Sequence, residues 1–330
     1  MDAGASLAKW DTLQNLRIET TNPRYPGKTS LYSYTYYPVA LKTLDNQGTW
    51  ICGQAVRMGS PTSTLFSFFD SGTCQIEVLL SGVDNTVQVR RGGPSGAILG
   101  NSLFVIPTSV PIWGYIEAKV VIHPSAGSVE VRWNGTTIIN LAGVNTSQSG
   151  SSYANRVGLG TGSATNDDVP GNYYTDFYAC DATGTTNNTF LGDCLVELLL
   201  PSGAGAETQW TPSAGSNYQN VDENPENGDT DYNKSNTVGQ VDTYAMANLV
   251  SVAGLIYGVQ YLEYARKDNA GTRTIAPVAR IGGADYLGSN VNLSDSYAYT
   301  REIKELSPAT AAAWTISEIN AMEFGVKVTA

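Results

Sequence analysis

Apolar residues recur at every second position in many short stretches of this chain, and turn residues separate those stretches. Alternate side chains lie on the same face of a β-strand, so the pattern predicts strands with one buried face. The clearest candidates are 31–41, 64–70, 74–80, 86–91, 115–123, 128–133, 136–141 and 194–200, and then 241–246, 256–267, 272–282 and 298–306. Many short strands with turns every 8 to 12 residues or so predict an all-β sandwich or barrel.

Two local signals are more specific than the alternation. Asn134-Gly135 separates two alternating runs, which favours a type I′ hairpin because both central residues then need a positive φ. Near the C-terminal end, 314–325 carries the one good helix signal: Thr315 and Glu318 have capping-box spacing and Gly325 suits a helix stop. A final strand is expected at 326–328.

The amino-acid composition changes after Pro201, where a long polar stretch with few apolar residues begins. Such a stretch is too irregular to form a core, so it is predicted to be linker and surface loops. The expected organisation is an N-terminal arm (1–30), a first sandwich (31–200), the linker and loops (201–240) and a second sandwich with one short helix (241–330). Residues 1–14 of the arm match no strand and could become ordered on a neighbouring molecule.

Charged residues make up 15% of the chain, against about 25% in an average soluble protein. The formal net charge of −11 argues against nucleic-acid binding, which needs clustered Lys and Arg. No stretch approaches the ~20 apolar residues of a membrane span, so membrane insertion is not expected. The first residues lack the features of a signal peptide, which suits a protein made in a cytoplasm and released by lysis.

The four cysteines, Cys52, Cys74, Cys180 and Cys194, are spaced too widely for a zinc knuckle. In a protein of intracellular origin they are expected to be reduced and partly buried. A bridge between Cys180 and Cys194 is the alternative.

The segment 115–146, YIEAKVVIHPSAGSVEVRWNGTTIINLAGVNT, resembles the core hairpin of concanavalin A-like (laminin G-like) jelly rolls. The segment 173–203 resembles the closing strand and loop of such domains in tailed-bacteriophage virion proteins. Three later segments, 208–225, 265–283 and 308–328, resemble the same proteins further. The resemblance implies a concanavalin A-like jelly roll, followed by a β-sandwich, in a phage structural protein.

This resemblance implies a tail-associated or adhesin-type component that assembles with itself, as a homo-oligomer, and with other virion proteins. It is expected in the virion, after synthesis in the host bacterial cytoplasm. The two alternatives are a capsid decoration protein and a carbohydrate-binding adhesin for host-surface glycans.

Catalytic motifs are sparse. The one histidine, His123, lacks a nucleophile-elbow sequence that would make it a catalytic base. Glycoside hydrolysis needs two facing carboxylates, whereas Glu117 and Glu130 lie on different predicted strands as lone acids. Each is expected to face solvent or pair with Lys or Arg. The sequence therefore predicts that the protein is not an enzyme and has no organic cofactor.

Exposed aromatic rings and amide side chains could bind sugars, although alternate tyrosines such as Tyr174 and Tyr178 are expected to pack inside. The candidate residues for a glycan site or for a protein contact are Tyr153, Asn155, Tyr173, Asn187 and Asn188.

Acidic loops are candidate Ca²⁺ sites, because Ca²⁺ takes carboxylate and carbonyl oxygens. The candidate ligands are Asp167 and Asp168, and in a second loop Asp222, Asn224, Glu226 and Asp229. The second loop does not match an EF-hand, since Asn227 stands where the loop glycine belongs. The alternative is that these acids are simply solvated.

Overall fold

The computed structural model describes residues 10–34, 39–59, 63–108, 112–160 and 171–330. The chain forms two compact units, Met1–Val196 and Glu197–Ala330. Among the described residues, no helix combines the length and the hydropathy needed to cross a lipid bilayer.

The first unit consists of two antiparallel sheets of seven strands each. In order across sheet 1 these are β1 (Thr12–Gln14), β4 (Val39–Gln47), β13 (Ala154–Leu159), β6 (Ser63–Asp70), β7 (Thr73–Leu80), β8 (Thr86–Arg91) and β9 (Ala97–Val105). Across sheet 2 they are β12 (Thr136–Val144), β11 (Gly127–Trp133), β10 (Trp113–Val121), β5 (Thr49–Arg57), β14 (Asn172–Asp181), β3 (Ser30–Ser33) and β2 (Leu16–Glu19).

The predicted alternation places the core between these two sheets. In β10, Ile116, Ala118 and Val120 face the interior, and they join one cluster with side chains of sheet 1 such as Phe66 and Ile76. Burying the apolar face of both sheets against each other gives the two-layer arrangement. The predicted all-β sandwich class is therefore confirmed.

The hairpin between β11 and β12 has the predicted geometry. Asn134 has φ 47° and Gly135 has φ 79°, so both central residues are in the left-handed region. Trp133 pairs with Thr136 directly across the two-residue loop. A type I′ turn has this backbone because its twist matches that of the flanking strands.

The N-terminal residues differ from the predicted arm. Trp10 is buried in the core of the first unit. Strand β1 is the edge of sheet 1 and β2 is the edge of sheet 2, with only Asn15 between them at φ 59°. The two strands have three and four residues, too few for alternation to be visible in the sequence.

Residues 194–200 form no strand, so the predicted strand there is wrong. Their backbone groups bond to side chains and single loop amides: Val196 N donates to Asp176 Oδ1 at 3.1 Å, and Leu200 O accepts from Ala247 N at 2.9 Å. Apolar residues at consecutive positions made the segment resemble a strand, although it joins no β-ladder with another segment among the described residues.

The second unit is built on a six-stranded sheet and two small ribbons. The sheet contains β15 (Pro201–Thr208), β18 (Val241–Met246), β24 (Glu323–Val328), β20 (Thr274–Ile281) and β21 (Ala284–Leu287), with β22 (Val291–Asn292) also paired to β20. The ribbons pair β16 (Thr211–Pro212) with β17 (Asn233–Lys234), and β19 (Val259–Ala265) with β23 (Ala298–Lys304).

The predicted linker 201–240 contains β15, which pairs with β18 and belongs to this second sheet. Its burial alternates weakly and its residues are mostly small, so the sequence shows no hydrophobic period. The organisation therefore differs from the predicted one, with the boundary between the units at 196/197.

The one α-helix in the described ranges, α1, spans Ile316–Ala321 and begins as predicted. Thr315 Oγ1 accepts a hydrogen bond from Glu318 N at 3.1 Å, which satisfies one of the orphan amides of the first turn. The helix ends before the predicted stop at Gly325. Gly325 instead lies within β24, where a Cβ would come within 1.9 Å of Asp242 O, so the close approach of β18 requires glycine there.

Candidate functional site

One cross-strand row of side chains on the outer face of sheet 2 combines aromatic rings and guanidinium groups. Tyr174 is buried in the core, so its neighbour Tyr173 projects outward. The strand register then aligns Arg17 with Tyr32, Tyr32 with Tyr173, Tyr173 with Arg57, and Arg57 with Trp113. We call these five residues the aromatic row.

The members of the aromatic row contact one another along its length. The Tyr32 and Tyr173 ring centroids are 4.9 Å apart, and those of Trp113 and Tyr173 are 6.4 Å apart, edge to face. The guanidinium carbon of Arg17 lies 4.7 Å from the Tyr32 ring centroid, and that of Arg57 lies 5.1 Å from Tyr173. Each such cation–π contact contributes about 0.5–1 kcal/mol when exposed.

The polar groups of the row are arranged for hydrogen bonding. Asn22 Nδ2 donates to Tyr173 Oη at 2.9 Å, and Arg17 lies 3.6 Å from Glu19 with 60% of its side chain exposed. The other four members are half-buried. Aromatic faces pack against the C–H faces of a pyranose, and a guanidinium donates to hydroxyls and carboxylates in a planar fork. Together these groups could bind a saccharide.

Further along sheet 2, residues 182–196 lie over the same outer face, and we call them the covering segment. Beneath it, Tyr115 and Tyr178 stack with centroids 6.5 Å apart and planes within 16°. Their rings occupy the space above Gly53, where a Cβ would meet Tyr178 Cε1 at 2.2 Å. Glycine in the central strand β5 is therefore required for this stacking.

Hydrogen bonds hold the covering segment to the sheet. Glu117 Oε1 accepts from Tyr178 Oη at 2.6 Å and from Gly192 N at 2.8 Å. Glu117 is 2% exposed, so the expectation that it faces solvent or pairs with a basic residue is wrong. The aromatic hydroxyl and the amide take the place of a basic partner.

A buried ion pair fastens the same segment near its end. Arg24 Nη1 donates to Asp176 Oδ2 at 2.9 Å, and Arg24 Nη2 lies 2.5 Å from Asp193 Oδ1. Burial raises the pKa of the Asp176 carboxyl, although the Val196 amide and Arg24 act in the opposite direction. Asp176 has φ 54° at an irregularity of β14, which turns its side chain toward these partners.

The structure separates the predicted glycan candidates. Tyr173 belongs to the aromatic row, paired with Arg57 at one end of β5. At the other end of β5, Trp50 Nε1 donates to Ala154 O at 2.9 Å, which places Tyr153 and Asn155 there. Seven residues of extended strand separate the two ends by about 23 Å.

The predicted amide candidates have local structural contacts. Asn155 Oδ1 accepts from Ser71 N at 2.8 Å, and Asn188 Nδ2 donates to Gly184 O at 3.0 Å within the covering segment. Asn187 lies in the same turn at φ 51°. A glycan site at Tyr153, Asn155, Asn187 and Asn188 stays a prediction, and the structure brings none of them into the aromatic row.

The first pair of Ca²⁺ candidates, Asp167 and Asp168, lies outside the described residues. In the second loop, Glu226 accepts from Tyr299 Oη, and Asp229 accepts from Arg266 and Tyr297, each at 3.0 Å. Asp222 and Asn224 precede them in the same loop. Across the described part of the chain, no three His, Cys, Asp or Glu residues are grouped to hold a metal. Ca²⁺ binding stays a prediction.

The histidine and the cysteines have plain roles. His123 Nδ1 accepts from Ser125 N at 3.1 Å and Ala126 N at 2.9 Å, so it caps the turn after β10. No disulfide joins the four cysteines, all of which lie within the described ranges.

Four members of the aromatic row were not among the predicted site residues: Arg17, Tyr32, Arg57 and Trp113. The signal available in the sequence was an aromatic or Arg residue near the end of each of several strands. Only the pairing of strands that are distant in the sequence aligns them, and no local motif marks that pairing.

No protein-family model matches the chain, and no curated protein matches it. Solved structures do resemble it. A variant of alginate lyase Aly36B with an alginate tetrasaccharide has 10% identity and TM-score 0.36, over 46% of this chain and 80% of that one. A heptameric SAP-like pentraxin from Limulus polyphemus has 15% identity and TM-score 0.30, over 50% of this chain and 75% of that one. The binding domain of botulinum neurotoxin DC in complex with SialylT has 11% identity and TM-score 0.31, over 98% of this chain and 95% of that one.

These similarities correct one expectation from the sequence. The chain was expected not to be an enzyme, but the similar structures include three of alginate lyase Aly36B, which is an enzyme. The exclusion of enzymatic activity is therefore wrong. The other similar structures named above are a pentraxin and a toxin binding domain.

Proposed function

We propose that the protein binds carbohydrate through the aromatic row of its first unit. The observation that carries this proposal is the cross-strand alignment of three rings and two guanidinium groups on one sheet face. Backbone hydrogen bonding fixes the spacing of the strands, and ring contacts restrict Tyr32, Tyr173 and Trp113, so these rings lose little side-chain entropy on binding.

An anionic sugar fits the row better than a neutral one. Arg17 and Arg57 interleave with the rings, although the chain as a whole carries a formal net charge of −11. A guanidinium binds a carboxylate with two parallel hydrogen bonds, which adds both energy and orientation. The proposed substrate class is therefore a polysaccharide or glycan that contains uronic or sialic acid residues.

The direct test is binding of the full chain to immobilised glycans in matched pairs, with and without the acidic sugar. We expect the acidic member of a pair to bind more tightly, with the difference shrinking as salt is raised. Tyr173→Ala and Trp113→Ala should each weaken binding by about tenfold, because each removes a stacking surface. Arg57→Gln should reduce the preference for the acidic member.

The matched control is Tyr153→Ala, at the opposite end of β5. It removes a tyrosine that the sequence also made a candidate, and it should leave binding unchanged. If Tyr153→Ala abolishes binding while Tyr173→Ala does not, the site lies at the other end of the sandwich. If the chain binds no glycan but self-associates through the row, the row is an assembly surface instead.

We further propose that this binding serves a tailed-phage virion, where the chain is a tail-associated or adhesin-type component that contacts itself and other virion proteins. The support is the sequence resemblance together with the jelly-roll fold. Mass spectrometry of purified particles would detect the chain, and its copy number would separate a tail organ from a capsid lattice. Absence from particles would contradict this placement while leaving the carbohydrate proposal intact.

A further inference from the structure

A small pocket in the second unit holds buried oxygen atoms that lack partners. It lies against one face of the β19–β23 ribbon, has a volume of ≈ 90 Å³, and is lined by Tyr261, Glu263, Pro277, Ser289, Val291, Thr300, Arg301 and Glu302. One water needs about 10–15 Å³ by this kind of measure, so the pocket has room for a group of several heavy atoms.

Register places the polar lining on one face of the ribbon. Tyr261 pairs with Glu302, and Glu263 pairs with Thr300. The Tyr261 hydroxyl and Glu263 Oε1 are both buried, and neither has a hydrogen-bond partner in the described part of the chain. A buried polar atom without a partner costs about 1–3 kcal/mol, so two of them in one pocket indicate a missing group.

The remaining oxygens of the pocket are already engaged. Glu302 Oε1 accepts from Lys304 Nζ at 2.5 Å, and Glu302 Oε2 accepts from Ser289 N at 2.9 Å. Thr300 Oγ1 donates to Glu263 Oε2 at 3.0 Å and keeps its own lone pairs available. The open acceptors of the ribbon itself are therefore one carboxylate oxygen, one phenol oxygen and one hydroxyl oxygen. Ser289 Oγ, which lies outside the ribbon and donates to Glu302 Oε1 at 3.4 Å, keeps its lone pairs as well.

This count distinguishes between two kinds of cation. Ca²⁺ takes about six to eight oxygen ligands, more than this pocket leaves open. A primary ammonium group has three N–H donors, the same number as the open acceptors of the ribbon. Pro277 and Val291 supply an apolar wall that suits the aliphatic carbon attached to the nitrogen.

We propose that this pocket binds the ammonium group of a small aliphatic amine. Glu263 Oε1 is the charged acceptor, and Tyr261 Oη and Thr300 Oγ1 are the two neutral acceptors. The proposal does not depend on the carbohydrate site, because all of its residues lie in the second unit.

The pH dependence of binding follows from the same carboxyl group. Burial raises the pKa of Glu263 to about 7, the Thr300 hydrogen bond lowers it and Glu302 raises it. Glu302 and Arg301 come from β23, Lys304 is bonded to Glu302, and β20 and β22 contribute only the uncharged Pro277 and Val291. Tyr244 of β18 is the titratable group that interacts with Glu263 from that strand. A proton and the ammonium group compete for Glu263, so amine binding should weaken as the pH falls from 8 to 6.

The test is calorimetric titration of the full chain with methylammonium chloride against sodium chloride of equal ionic strength. We expect saturable binding at pH 8. Glu263→Gln should weaken it by more than about tenfold, because a charge-assisted hydrogen bond is lost. Tyr261→Phe removes one oxygen without changing the ring, and should weaken binding several-fold even if the Gln variant folds poorly.

Glu77→Gln is the matched control, since Glu77 is a buried glutamate of the first unit whose pKa is also raised to about 7. It should bind methylammonium as the unaltered chain does. Absence of saturable binding, or equal affinity in Glu263→Gln, would overturn the proposal. A parallel titration with CaCl₂ that is abolished by Glu263→Gln, without any amine binding, would show a divalent-cation site instead.

Discussion

Each unit presents a cluster of aromatic rings with arginine, but the two clusters are held in different ways. In the first unit the aromatic row crosses five adjacent strands of sheet 2, and backbone register sets its spacing. In the second unit Tyr264 stacks on Tyr297 at 4.9 Å and contacts Tyr299 at 4.8 Å. Tyr264 and Tyr299 lie on the two-stranded β19–β23 ribbon, and Tyr297 directly precedes β23. We call these three residues the tyrosine cluster.

The hydroxyl groups show what each cluster does. In the tyrosine cluster, Tyr297 donates to Asp229 and Tyr299 donates to Glu226, so both hydroxyls bind one acidic loop. In the aromatic row, the Tyr173 hydroxyl accepts from Asn22. The tyrosine cluster fastens a loop to a ribbon, whereas the aromatic row is a platform whose shape comes from the sheet. Similar residue types therefore serve opposite purposes.

The largest expected effect tests one buried glutamate in each unit, Glu77 in β7 and Glu263 in β19. Burial raises the pKa of Glu77 and of Glu263 to about 7, from the usual 4.5. A raised folded-state pKa gives stability that is complete below pH 4.5 and is lost as the pH rises through 7. Each glutamate should therefore lower the free energy of unfolding by at most about 3 kcal/mol as the pH rises from 5 to 8.

Urea unfolding of the full chain at pH 5 and pH 8 measures this loss. Glu77→Gln should reduce the pH dependence of the free energy of unfolding of the first unit. Glu263→Gln should do the same for the second unit. Glu263 is adjacent to Tyr264, so its titration should also change tyrosine fluorescence. An unchanged slope in either variant would show that its glutamate is already paired.

The next effect tests whether ring positions in the first unit depend on the backbone. Gly53→Ala would place a Cβ 2.2 Å from Tyr178 Cε1, beneath two stacked rings that cannot both move. Overpacking of this kind costs about 2–3 kcal/mol. The control is Gly203→Ala in β15, where a Cβ meets only the Ala245 Cβ at 3.7 Å. Thermal unfolding should separate them, and equal melting temperatures would refute the packing argument.

A smaller effect tests the fastening role of the tyrosine cluster. Replacing Tyr297 and Tyr299 together with Phe removes both hydrogen bonds to the acidic loop, and should lower the free energy of unfolding of the second unit by less than Gly53→Ala lowers that of the first. Protease cleavage within 222–231 should become faster at the same time. Tyr32→Phe in the aromatic row should change neither stability nor cleavage of that loop. If the Tyr32→Phe variant loses as much stability and is cleaved as fast as the double variant, the proposed difference between the aromatic row and the tyrosine cluster is wrong.

The smallest effect concerns the exposed end of the row. Arg17→Gln removes a cation that is mostly exposed and lies 3.6 Å from Glu19, so stability should change by less than about 0.5 kcal/mol. The same change should reduce the salt dependence of glycan binding. Chemical unfolding and binding at two salt concentrations measure the two quantities. A large loss of stability would show that Arg17 is structural.

The sequence predicted what local chemistry controls. Asn134-Gly135 formed its hairpin and Thr315 capped its helix because each signal acts over four residues or fewer. The central strand β5 escaped prediction because seven consecutive residues of it are buried, so no period appears. Polar Gln54 among them is satisfied by Leu65 O at 2.5 Å from the opposite sheet, which no local pattern reveals.

The candidate site was predictable only in part for the same reason. Tyr173 was named, but its partners come from four other strands and meet it only through register. The pocket beneath Glu263 needs the ribbon, β20 and β22 to be placed together before its open oxygens can be counted.

The crossover at Asn15 has a consequence for handling this protein. Because β1 and β2 border different sheets, one short peptide shields the outermost backbone amides and carbonyls of both. Removing the chain up to Glu19 by cleavage would expose the edges of β3 and β4 together. Each of the two sheets would then have a strand with unpaired backbone amides and carbonyls at that edge. A fragment trimmed there could pair with strands of other molecules at both sheets, so its tendency to polymerise would say nothing about how the intact chain assembles.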